Sequence, residues 1–287
     1  MSDFIQQQSV ECRFESSDSW VILSPIEQSI KRKIESVGTP LKDWNIKINY
    51  GIKTGFNDAF IISTEKRNEI LDNCSSEEER TKTAELIRPI LRGRDIKRYG
   101  YNWADLWLIA TFPSRHYDIE EFPAVKAHLL SFGKERLEQT GKKYIINGEE
   151  VKARKKTSNK WFETQDSISY WDDFLQPKIV YPETTQGAFF AYDETGIFLD
   201  KTCFMMTTKY VRYIQATLSS QLFEFAYKRI FSSIELGQHG FQYNKHALIK
   251  LPIKKFNGDD SAIFSEEFFY NQYGITTDEI DYIQNTI

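Results

Sequence analysis

The first regular pattern along the chain begins at Pro25. In "SPIEQSIKRKIESVG" the apolar residues Ile26, Ile30, Ile34 and Val37 recur at helical spacing, with polar residues between them. Ser24 and Glu27 have the spacing of a capping box, Pro25 suits a first helical position, and Gly38 with Pro40 ends the run. One short amphipathic helix is predicted. From Ile46 the period changes to two: Ile46 and Ile48 alternate with Asn45, Lys47 and Asn49, as in a strand with one buried face. Residues 59–62 read as a second strand. "STEKRNEIL" and "SSEEERTKTAELIR" read as helices, the latter capped by Ser75 or Ser76 and ended ahead of Pro89. "DLWLIATF" reads as a buried strand, and "DIEEFPAVKAHLLSFGKERLEQTG" as a helix closed by Gly141.

A charged stretch of low hydrophobicity, "GKKYIINGEEVKARKKTSNK", then interrupts the pattern. Beyond it "PKIVYPE", "GAFFAYDE" and "IFLDKTCFMMTT" read as three strands parted by turns containing Pro and Gly. "YVRYIQATLSSQLFEFAYKRIF" is helical in period, and the tail gives two short helices around Gly274. No segment repeats another. The expectation is a mixed α/β (α+β) fold with largely antiparallel strands and flanking helices. Its divisions are a lead-in with the amphipathic helix over 1–42, one main domain over 43–255, and a helical tail over 256–287.

Composition narrows the picture. The 21 Phe, 15 Tyr and 6 Trp among 287 residues favour a packed, sheet-rich interior over disorder. A net charge of −4 provides no global attraction to nucleic acid or membrane, so a polyanion site must come from local clustering. Cys12, Cys74 and Cys203 are too scattered for a disulfide framework or a metal knuckle, which fits a reducing cytoplasm. No apolar run approaches a membrane span, and the N-terminus lacks the basic-then-apolar pattern of a signal peptide. A cytoplasmic protein is expected.

Several chemistries are then removed by the order of residues. "NYGIKTGFNDAFII" places Lys53 between Gly51 and Gly55, whereas a P-loop needs its lysine after the second glycine. The plainer reading is a tight turn in which the glycines supply positive φ. "DDFLQPKIVYPETT" has the outline of a metal-dependent nuclease core, with Asp173 preceding a strand that ends at Glu183, although Asp172, Asp173 and Glu183 read more simply as solvated strand-edge acids. Thr185 stands where that core needs a lysine. His116, His128, His239 and His246 form no metal-ligating motif, and His128 sits in a helical apolar pattern as a satisfied core or boundary residue. There is no serine nucleophile elbow, no Asn/Asp-Pro-Pro-aromatic loop for amino-methylation of a flipped base, and no glycine-rich cofactor loop. No catalytic or metal-binding residue is expected.

What remains is binding. "RPILRGRDIKR" concentrates Arg88, Arg92, Arg94, Lys97 and Arg98 against Asp95 alone. Over 134–160, nine cationic side chains oppose four acidic ones, and Trp161, Phe162, Tyr170 and Trp171 follow directly. Basic residues beside aromatics and amides suit phosphate contact with base readout, although a solvated loop beside an aromatic core would have the same composition.

Four segments together, "KIESVGTPLKDWNIKINYGIKTGFNDAFII", "LIRPILRGRDIKRY", "WFETQDSISYWDDFLQPKIVYPE" and "FYNQYGITTDEIDYIQ", add a resemblance. In that order they resemble the C-terminal part of Eco57I-like and TaqI-like adenine-specific DNA methyltransferases, including fused type IIG restriction–modification enzymes. The part matched is the target-recognition, or specificity, domain, and the resemblance runs from about residue 20 to 287. It implies a TaqI-like specificity-domain architecture that recognises double-stranded DNA on behalf of a methyltransferase catalytic domain, fused or separate. That domain, with its S-adenosylmethionine, is expected to lie outside this chain. A stand-alone nuclease and a module that docks a partner methyltransferase stay open as alternatives. On this reading Arg92, Arg94, Lys97, Arg98, Lys142, Lys143, Arg154, Lys155, Lys156 and Lys160 would contact phosphates. Asn57, Asn159, Gln165, Gln186, Gln238, Gln242 and Asn244 are candidate base readers, and Gly51 and Gly55 set a structural turn that leaves Lys53, Thr54 and Asn57 available to DNA.

Overall fold

The computed structural model describes residues 23–231, 235–236 and 240–287. Its principal strands, in chain order, are β1 (Lys47–Tyr50), β2 (Ile61–Ser63), β3 (Ile87–Leu91), β4 (Leu106–Ile109), β5 (Lys143–Ile146), β6 (Glu149–Lys152), β7 (Lys178–Pro182), β8 (Ala191–Asp193), β9 (Phe198–Leu199) and β10 (Cys203–Thr207). Its helices include α1 (Pro25–Val37), α2 (Thr64–Asp72), α3 (Glu77–Leu86), α4 (Pro123–Leu130), α5 (Val211–Ser219), α6 (Gln221–Ala226), α7 (Glu266–Tyr273) and α8 (Thr277–Thr286).

Strands β8, β7, β10 and β1 form an antiparallel sheet in that order. Strands β9, β3, β4 and β2 form a second sheet, antiparallel except where β9 lies parallel to β3. Successive side chains of a strand point to opposite faces, and the first sheet buries both. On one face Ile48, Ile179, Tyr181, Phe204 and Met206 share a core with α1 and with α5 to α8. On the other, Val180, Cys203 and Met205 pack with Ile62, Ile87, Leu108 and Phe198 of the second sheet and with Val125 and Leu129 of α4. The result is an α/β fold of antiparallel sheets with flanking helices. The helices at the two ends of the described chain are joined: Glu279 of α8 accepts from Ser29 (2.8 Å) and pairs with Lys33 of α1 (2.6 Å). No helix among the described residues is long and apolar enough to cross a membrane.

Local signals explain most element ends. Ser24 and Glu27 form the capping box of α1 in both directions, and Gly274, at φ +62°, ends α7. Elsewhere the fold departs from the sequence expectation. Residues 57–60 form one helical turn ahead of β2, because the Thr54 hydroxyl accepts from the Phe56 N–H and donates to the Asn57 side chain. Pro89 lies inside β3 rather than marking a break; pairing with parallel β9 involves only Ile90 and Leu91, beyond the position of its missing N–H. The helix expected up to Gly141 is broken at Gly133, φ +85°. The charged stretch contains the β5–β6 hairpin, turned by Asn147 and Gly148 with φ of 51° and 83°. "IFLDKTCFMMTT" is two strands, β9 and β10, separated at Asp200 to Thr202.

Candidate nucleic-acid interface

Two close backbone approaches build a cleft. β1 runs into Gly51, where a Cβ would stand 1.8 Å from the Asp200 carbonyl oxygen. The close approach is held by hydrogen bonds from the Gly51 N–H to the Cys203 carbonyl and from the Ile52 N–H to the Leu199 carbonyl, both 2.8 Å. Across the same turn the Gly93 N–H donates to the Thr202 hydroxyl at 2.9 Å, and a Cβ on Gly93 would meet that oxygen at 2.9 Å. The Asp200 carboxylate closes the turn by accepting from the Thr202 N–H (2.9 Å), and the Thr202 carbonyl accepts from the Glu183 N–H (2.9 Å). The turn from Asp200 to Thr202 therefore joins three stretches that are far apart in sequence.

Above it opens a cleft of about 940 Å³ whose lining includes Lys53, Asn57, Arg92, Arg94, Lys97, Glu183, Gln186, Asp200 and Lys201. Lys53, Arg94, Lys97 and Lys201 are exposed, and none has an ion pair among the described residues. The Lys97 ammonium donates to the Arg94 carbonyl at 3.0 Å. Arg92 is half-buried and held by Asp95 through two hydrogen bonds of 2.7 and 2.9 Å, which raise its pKa. The site combines cationic heads, which suit phosphates, with the amide side chains of Asn57 and Gln186, which suit base edges. Lys201 was missed as a candidate; its signal is the short Asp-Lys-Thr turn between two apolar runs.

Other expected site residues lie elsewhere or are already used. Arg154 is buried, 5% exposed. Its guanidinium donates to the carbonyls of Leu137, Thr54 and Glu163 (each 2.8 Å) and Trp161 (2.7 Å), and burial pushes its pKa down to about 10. It is a bracket for the backbone, and its burial removes it from phosphate contact. Arg98 donates to the Ser219 carbonyl at the end of α5 (2.6 and 3.1 Å) and pairs with Glu224 of α6 (3.0 Å), so it too serves the fold. The Asn159 amide donates to the carbonyls of Thr164 and Gln165, and Asn244 caps the helical turn Lys245–Leu248. Gln165 packs beside Gly55, and Gln242 lies in a short strand opposite Thr184. Gln238 lies outside the described residues. Lys142, Lys143, Lys155, Lys156 and Lys160 are exposed on and around the β5–β6 hairpin and do not line the cleft; Lys143 pairs with Glu150 at 2.9 Å.

The two glycines of the opening motif have different causes. Gly55 has φ +80°, the left-handed region, whereas Gly51 is required by the approach of Asp200. The nuclease outline does not assemble. Asp173 accepts from the Asn49 amide (2.9 Å) and pairs with Lys47 ahead of β7, while Glu183 follows its other end. The two acids lie toward opposite ends of β7 and have no contact with each other. Among the described residues no three His, Cys, Asp or Glu side chains are grouped to hold a metal ion. His128 is half-buried against the Ala59 carbonyl at 3.0 Å.

Residues 88–253 match the family described as the TaqI-like C-terminal specificity domain. That is more than half of the 287 residues, and the chain belongs to this family. Two solved structures are similar. One is the type IIL restriction–modification enzyme MmeI in complex with DNA, at 15% identity and a TM-score of 0.44, covering 72% of this chain and 24% of that one. The other is the type IIG restriction endonuclease BpuSI, at 14% identity and a TM-score of 0.49, covering 91% of this chain and 28% of that one. The chain thus spans about a quarter of each enzyme.

Proposed function

We propose that this specificity domain recognises a sequence in double-stranded DNA for a restriction–modification methyltransferase. Lys53, Arg94, Lys97 and Lys201 grip phosphates across the cleft while Asn57 and Gln186 address base edges. The observation that carries this reading is the convergence of these side chains on one open cleft from four separate stretches of a chain whose net charge is −4. Amino-methylation of adenine, with S-adenosylmethionine as donor, falls to a catalytic domain, fused or separate, acting in the cytoplasm. The separation of Asp173 from Glu183 speaks against the stand-alone nuclease.

Phosphate contact releases counterions, so log K falls with log[salt] at about −0.9 per neutralised phosphate. Four contacts give a slope of about −3 to −4. Fluorescence anisotropy with a labelled duplex over a salt series tests this. No binding, or a slope near zero, overturns the reading.

A further inference from the structure

Two acidic side chains line the cleft, Glu183 and Asp200, and only the Glu183 carboxylate is without a partner among the described residues. Glu183 follows β7 and is fixed through its backbone, its N–H donating to the Thr202 carbonyl at 2.9 Å and its own carbonyl accepting from the Tyr243 N–H at 3.0 Å. Its carboxylate lines the cleft and makes no ion pair or hydrogen bond among the described residues. The other acids nearby are occupied: Asp95 holds Arg92, and Asp200 closes its own turn. A lone carboxylate among phosphate-binding cations repels the backbone of an incoming duplex, so its presence weakens non-specific binding.

We propose that Glu183 is a specificity-determining residue that accepts a hydrogen bond from the exocyclic amino group of a cytosine in the major groove. The inference rests on the DNA reading above and names one base contact within it. An ionised carboxylate only accepts. Guanine offers N7 and O6, both acceptors, and thymine offers O4 and a methyl group, so neither gains from it. Adenine has an amino group, but its neighbouring N7 repels a carboxylate, whereas cytosine presents N4–H₂ beside a C–H. The backbone bonds to Thr202 and Tyr243 hold Glu183 on a rigid element, as a discriminating contact requires.

The test is selection of binding sites by the full chain from a pool of randomised duplexes, for the wild type, Glu183→Gln and Glu183→Lys. Glu183 is only partly buried and its side chain has no partner to lose, so the variants are expected to fold; urea unfolding midpoints check this. The expected result is a wild-type preference for cytosine at one position that drops about tenfold or more in Glu183→Gln, with preferences elsewhere unchanged. Glu183→Lys should shift that position towards guanine. Identical preferences in wild type and variants overturn the assignment while leaving DNA recognition intact. Failure of the wild type to bind or select any duplex overturns both.

Discussion

The Arg154 guanidinium donates to the Thr54 carbonyl at 2.8 Å, tying the turn between Gly51 and Asn57 to a stretch a hundred residues further along the chain. The same side chain bonds the carbonyls of Leu137, Trp161 and Glu163. Truncation would leave buried carbonyls without donors at about 1–3 kcal/mol each, though not additively. Arg154→Ala is expected to lower the unfolding free energy by about 4 kcal/mol in urea denaturation at unchanged slope. Arg154→Lys should recover less than half of this, because one ammonium cannot replace a planar fork. A variant of wild-type stability with uniformly weakened DNA binding would instead make Arg154 a phosphate contact.

Much of the fold was legible where the signal is local. The caps of α1 follow from Ser24, Pro25 and Glu27, and the two tail helices from Gly274. The hairpin was equally local, since Asn147-Gly148 is a two-residue turn signal, but the surrounding lysines and glutamates hid it. The roles of the cations were not legible. Arg154 is followed by Lys155 and Lys156, and nothing in that run tells the buried charge from the exposed ones, because the carbonyls that decide it come from distant segments. The cleft was legible only in pieces: Arg94 and Lys97 stand out by composition, while their meeting with Asn57 and Gln186 depends on the non-local turn at Asp200 to Thr202.

Arg94 and Arg98 lie in one basic run and should separate by experiment. Arg94 is exposed on the cleft, whereas Arg98 binds Ser219 and Glu224. Arg94→Ala is expected to reduce the salt slope of DNA binding by about 0.9, with little change in stability. Arg98→Ala should cost about 2 kcal/mol of stability and leave the slope unchanged. Anisotropy titrations beside urea unfolding distinguish the two, and equal effects on the slope would remove the distinction.

Lys178 and Asp193 face each other across β7 and β8 and form an ion pair with both side chains fully buried. Burial pushes the Asp193 carboxyl up, but the Lys178 charge and hydrogen bonds from Lys178, Thr195 and Tyr101 outweigh it and leave its pKa below the usual range. The folded-state pKa lies below the unfolded one, so this stabilisation is present above the unfolded Asp pKa of about 3.9 and is lost as pH falls through the folded value. Asp193→Asn leaves the ammonium without its counter-charge and is expected to cost about 3–5 kcal/mol at neutral pH. The difference in stability between wild type and variant should shrink on acidification below about pH 4. A pH-independent difference would show that Asp193 acts through packing and hydrogen bonding alone.

Gly51 and Gly55 give the sharpest comparison of two causes within one motif. At Gly55 an added Cβ faces a φ of +80° and contacts with Arg154 and Gln165 side-chain atoms at 3.1–3.3 Å. Gly55→Ala should therefore cost about 1–2 kcal/mol, and Gly55→Asn less, since asparagine tolerates the left-handed region. At Gly51 the Cβ would lie 1.8 Å from the Asp200 carbonyl oxygen, so the backbone itself must move. Gly51→Ala is expected to cost about 3 kcal/mol or more, and Asn should give no relief, because the obstacle is the backbone of the neighbouring turn and not a dihedral angle. The displacement would reach the turn from Asp200 to Thr202 that underlies the cleft, so Gly51→Ala should also weaken DNA binding under conditions where it remains folded. Thermal unfolding of the four variants tests the order, and Gly51→Ala at wild-type stability would mean that β1 and the Asp200 turn do not touch.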